Sequence, residues 1–174
     1  MKRLIAVAVM GRDRPGIVAE VSGRLFERGC NIEDVVTSQL SGHFALMLVC
    51  AGPPGVSADA VRVEMAALAG DLHVAVWDVD ERPIPPRATH VVTVYGPDRP
   101  GIVHRVATVL AERGVNITDM TCRLSPSRTS LYALTLEVEL SEATPPADIE
   151  AALRATVGPL GLELTLGAVP AEVL

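Results

Sequence analysis

Two short polar clusters in this 174-residue chain have the residue types to hold a small carboxylate ligand. Asp13-Arg14-Pro15-Gly16 runs on into Ile17, and Asp98-Arg99-Pro100-Gly101 runs on into Ile102. At equal spacing after each come Gly29-Cys30-Asn31-Ile32 and Gly114-Val115-Asn116-Ile117. A helix beginning at the first cluster would aim its leading N–H groups and its dipole at a carboxylate, with Arg14 or Arg99 in support. Gly16 and Gly101 lack a side chain, so a small ligand could come close to the backbone there. An ammonium group on the same ligand would need an oxygen partner, which Asp13, Asp98, Asn31 or Asn116 could supply. The same residues also have a purely structural reading. Aspartate near a helix start is capping chemistry, and asparagine after a helix-ending glycine is turn chemistry.

Other chemistries find no support. His43, His73, His90 and His104 are scattered without metal-ligand spacing, and neither a catalytic triad nor an HExxH helix is present. Gly11 and Gly16 have the spacing of a phosphate loop's glycines, but no Lys-Ser/Thr follows, so that motif is discarded. No cofactor and no metal are expected. Net charge is −6 with scattered arginines, whereas nucleic-acid binders concentrate basic charge on one face. Aromatic residues make up 3% of the chain, too few for base stacking. Cys30, Cys50 and Cys122 do not correspond between the two halves, so no disulfide framework is expected and a reducing, cytoplasmic setting fits.

The elements that must position the clusters are written twice. Gly11–Leu40 returns without a gap at Gly96–Ser125 with about half the residues identical. Residues 3–10 and 88–95 read as strands, and a helix follows each Pro-Gly pair. The stripe Ile17, Val18, Val21, Leu25 is repeated as Ile102, Val103, Val106, Leu110, and Gly29 and Gly114 end these helices. Strands are expected from Ile32 and Ile117, at 44–50 and 131–140, and at 72–79 and 162–169. Second helices are expected at 57–68, with Ser57 as N-cap, and at 146–157. The apolar MKRLIAVAVMG start mimics a signal peptide, but its counterpart THVVTVYG lies mid-chain, so both read as buried strands. No apolar run is long enough for a bilayer-spanning helix.

The order is βαββαβ, twice: an α+β, ferredoxin-like arrangement with antiparallel sheets and helices on one face. The proline-rich ERPIPPR stretch sets domains at 1–81 and 88–174 with a linker at 82–87.

DRPGI followed by RGxNI, twice and within βαββαβ, resembles the ACT domain, a small regulatory module that binds amino acids. The resemblance covers nearly the whole chain. Within that family, the two-copy layout without an enzyme is similar to the glycine cleavage system transcriptional repressors. Copy one also resembles the N-terminal domain of formyltetrahydrofolate deformylase. The resemblance implies a non-catalytic regulator that binds a small amino acid or related metabolite between ACT units. It implies site residues Asp13, Arg14, Gly16, Ile17, Asn31 and Ile32, with Asp98, Arg99, Gly101, Ile102, Asn116 and Ile117 in copy two. The expected assembly is a homo-oligomer, a dimer at its simplest, whose state a transcription factor or enzyme reads. Direct nucleic-acid or membrane contact is not expected. The rival expectation is a ligand-free interaction module.

Overall fold

The computed structural model describes residues 3–68, 72–80, 87–125 and 131–169. The chain divides into two compact units, Met1–Pro83 and Ile84–Leu174. Residues 81–86, which hold nearly all of the expected linker, lie outside the described residues.

Each unit is one βαββαβ. The first comprises β1 (Arg3–Arg12), α1 (Ile17–Glu27), β2 (Asn31–Leu40), β3 (His43–Gly52), α2 (Ala58–Ala66) and β4 (Leu72–Val79). The second comprises β5 (His90–Pro97), α3 (Ile102–Ala111), β6 (Asn116–Ser125), β7 (Leu131–Glu139), α4 (Pro146–Val157) and β8 (Glu163–Ala168). The strands pair antiparallel in the orders β2-β3-β1-β4 and β6-β7-β5-β8. This is the expected ferredoxin-like α+β fold. A register shift recurs at the same point of both copies, between Ile32 and Asp34 and between Ile117 and Asp119.

Strand alternation sends every second side chain to the helices. Ile5, Val7 and Val9 of β1 and Leu46, Leu48 and Cys50 of β3 meet Ile17, Val21 and Leu25 of α1 and Val61 and Met65 of α2. In the second unit Val92, Val94, Leu134 and Leu136 meet Ile102, Val106, Leu110, Ile149 and Leu153. Truncating one such leucine to alanine costs about 2–5 kcal/mol. Val18, read from the sequence as part of the buried stripe, is instead half exposed. Ser57 caps α2 as expected, its hydroxyl accepting from the Ala60 amide at 3.2 Å.

The first helices begin directly after the Pro-Gly pairs, as expected. The N-cap of α1 is Gly16 at φ 96° and that of α3 is Gly101 at φ 89°, neither with a side-chain cap. The aspartates therefore do not cap, and the sequence-based capping assignment is corrected. Left-handed backbone explains both glycines without a ligand. A Cβ at Gly16 would meet its nearest neighbour, Glu20 Oε1, only at 3.6 Å. Gly101→Ala should lower stability by about 1–2 kcal/mol, and Gly101→Asn should lose less, because asparagine tolerates this region. Urea midpoints compare the three proteins; equal stability of the alanine variant and the parent would contradict the assignment.

Cys30 and Cys50 lie in the first core with their thiols hydrogen-bonded to one another. Burial, followed by the Cys30 charge and the bond to Cys30, pushes the Cys50 thiol up to about 12, and burial raises Cys30 as well. The folded chain thus keeps protons that the unfolded chain loses near its ordinary value of 9.0. The resulting stability is complete below pH 9 and is lost as pH rises toward 12. Cys50→Val should flatten that alkaline loss, read from urea midpoints at about pH 8 and about pH 10.5. Parallel slopes in variant and parent would rule out the thiol as its source.

Candidate functional site

In the first unit, β1 delivers the chain into the Asp13–Gly16 loop, which crosses to the start of α1. The Asp13 amide donates to the Gly42 carbonyl at 3.1 Å, and Gln39 Nε2 of β2 donates to Asp13 Oδ2 at 2.5 Å. Asp13 thus fastens the loop to the β2–β3 turn. Arg14 turns back toward α1. Its two terminal nitrogens donate to Glu20 Oε1 and Oε2 at 2.7 and 2.8 Å, a bidentate pair. That hydrogen bonding holds the Glu20 carboxyl below its ordinary range. The first amides of α1 have no side-chain cap, yet a carboxylate already stands before them. Of the site residues expected here, Arg14 is paired with the chain's own Glu20.

The second unit keeps the backbone and changes the charges. α3 starts from the same left-handed glycine, but its first turn has no acidic residue. Arg105 and His104 occupy the positions of Glu20 and Ala19. Among the described residues, neither Arg99 nor Arg105 forms an ion pair. Pro100, Gly101, His104, Arg105, Thr108 and Thr156 help line a groove of about 400 Å³ beside α3. Leu124 stands where Gln39 does in the first unit, so Asp98 lacks the amide partner that Asp13 has. Tyr132 is close to this carboxylate. Burial, the bond to Cys122 and the Cys122 and Asp98 charges push its phenol well above the ordinary range.

The Asn31 and Asn116 positions do not join these loops within a unit. Asn31 pairs with Ala51 and Leu40 pairs with His43, at opposite ends of the sheet. Eight residues of strand separate them, roughly 27 Å. α1 likewise starts beside Asp13 and ends before Asn31. Asn116 repeats the placement opposite Glu139. The four isoleucines serve the cores. Ile17 and Ile102 are 2% exposed, and Ile32 and Ile117 pack against the cluster edges. Thr118, in the β6 bulge, has a buried hydroxyl without a hydrogen-bond partner among the described residues. The twelve residues therefore fall into a loop end and an asparagine end in each copy, with the isoleucines as packing.

Sequence reasoning missed two partners, Glu20 and Gln39. The exchange of Glu20 for Arg105 is visible in the repeat alignment, but its meaning depends on Arg14 reaching over the turn. Among the described residues no group of His, Cys, Asp or Glu is arranged for a metal. No helix among them is long and apolar enough to cross a membrane.

Models of the ACT domain match residues 3–76 and 90–156. The chain is 26% identical to the glycine cleavage system transcriptional repressor of Escherichia coli (strain K12) over 157 residues, 87% of this chain and 82% of that one. A crystal structure of an unknown protein from Galdieria sulphuraria superposes with a TM-score of 0.84 at 22% identity, covering 98% of this chain and 100% of that one. A provisionally named glycine cleavage system transcriptional repressor superposes with a TM-score of 0.68 at 17% identity, covering 97% and 98%. Both structures share the fold, and the family models account for most of the sequence. The chain belongs to the ACT domain family and carries the domain twice, in a regulatory protein related to the glycine cleavage system repressor.

Proposed function

We propose that this is a non-catalytic, cytoplasmic regulator whose second unit binds a small amino acid or related carboxylate at the start of α3. The observation that carries the reading is one charge reversal. At the same backbone position, Glu20 pairs with Arg14 in the first unit, while the second unit places Arg105 there, beside Gly101. Uncapped amides, a helix dipole and two guanidinium groups favour a carboxylate there. In the first unit the same approach meets a carboxylate and is repelled. Asp98 is on hand for an ammonium group.

Signalling then follows from differential affinity. A ligand shifts an association equilibrium only as far as it binds one arrangement better than the other. The Escherichia coli relative is a transcriptional repressor by name, which supports a role in gene control. With a net charge of −6, the chain is better suited to meeting a DNA-binding protein or an enzyme than DNA itself. The filled loop of the first unit favours a second role for that unit, as an interaction module.

A thermal-shift panel of the common amino acids, glycine and serine included, tests the proposal. At a hundred times its dissociation constant, an effector adds about 2.7 kcal/mol, or roughly 5–11 °C at this size. Arg105→Glu rebuilds the pairing of the first unit and should abolish the response with little change in the ligand-free melting point. A flat panel, or an undiminished response in Arg105→Glu, would contradict the assignment.

A further inference from the structure

The two sheets differ most on the faces turned away from their helices. One row crosses all four strands of the second unit as Thr121, Thr135, Thr93 and Thr165. The matching row of the first unit is Val36, Met47, Ala8 and Ala75. Met10, Val36 and Met47 are 55%, 57% and 52% exposed on that face. Two shallow troughs of about 450 and 240 Å³ run over Ala8 and Ala6 respectively. A contiguous apolar patch of several hundred Å² is uncommon on a free monomer surface.

The face has a size pattern. Across the midline between β1 and β3, Met10 stands beside Ala45, Ala8 beside Met47, Ala6 beside Val49 and Leu4 beside Ala51. Each pair is one large residue and one alanine. The outer strands continue it: Val36 of β2 and Ala75 of β4 end the same row. A half-turn about an axis along the strands, in that midline, lays β1 of a second copy over β3 and β4 over β2. Met47 then faces Ala8, Met10 faces Ala45, Val49 faces Ala6 and Val36 faces Ala75. Large side chains enter the hollows above alanines throughout. The polar positions match as well. Ser38 faces His73, and the single carboxylate, Asp34, faces Trp77, whose indole N–H is a donor.

We propose that the open face of the first sheet is the interface of a symmetric homodimer, with a second copy of this chain as its occupant. Two sheets with nearly aligned strands pack about 10 Å apart in this way. Four strands by seven residues cover roughly 450 Å² on each copy. The total of about 900 Å² is below the usual span of stable interfaces and fits a weak, reversible dimer. The proposal is independent of the ligand site on α3.

Sedimentation velocity of the full chain from about 1 to about 100 μM tests it, a range in which weak dimers form. The parent chain should pass from monomer to dimer over that range. Met47→Lys projects into solvent in the monomer and should keep its cooperative melt while staying monomeric. Val36→Lys serves the same purpose if Met47→Lys fails to fold. Thr135→Lys, on the matching face of the second unit, should dimerise like the parent. Ala8→Met alone should weaken the dimer at least tenfold, and Ala8→Met with Met47→Ala should regain it. A parent that is monomeric throughout, lysine variants that dimerise normally, or a double variant that regains nothing would overturn the proposal.

Discussion

A helix entered through a left-handed glycine has no side chain at its N-cap, so its first amides face whatever the following turn provides. Both ACT units are built this way, at Gly16 and at Gly101. The backbone therefore offers the same electropositive point twice, and one side chain decides its use. Glu20 answers it from within the first unit and takes up Arg14 in doing so. In the second unit Arg105 adds to it instead. The exchange replaces an acidic partner of the loop arginine with a second guanidinium, and it leaves the cores and the sheets alone.

The same division of labour extends to the sheets. The strand-to-helix side of both is packed with Val, Ile and Leu, as any two-layer domain requires. The open sides are free to differ, and they do: threonines cross the second sheet where valine, methionine and alanine cross the first. The unit with the filled loop has the apolar face, and the unit with the polar face has the cationic loop. The proposed recognition of a small molecule and the proposed self-association thus fall on different copies of one duplicated fold.

Much of the fold was legible because the repeat fixes it. Strand and helix order, the Ser57 cap, the left-handed Gly29 and Gly114 and the final strand of the first unit all follow from local residue type. Each proline precedes its helix rather than entering it, because the glycine that follows takes the left-handed conformation. Val18 was misplaced, lying half exposed beside the buried stripe. The candidate site was less legible, since its decisive contacts are not local in the sense that sequence patterns capture. Gln39 reaches Asp13 from 26 residues away through strand pairing. Arg14 meets Glu20 across a turn rather than along a helix face. The separation of Asn31 from Asp13 follows from strand length and register, which motif spacing does not express. The apolar open face looked like an ordinary buried strand, because β1 is apolar on both sides.

The central claim is that α3, and not α1, receives the ligand. Amide chemical shifts during titration with the common amino acids test it at the level of single N–H groups. The account predicts that an effector moves the amides of Ile102, Val103 and His104 and leaves those of Ile17, Val18 and Ala19 in place. Equal movement at both helix starts, or movement confined to α1, would contradict it.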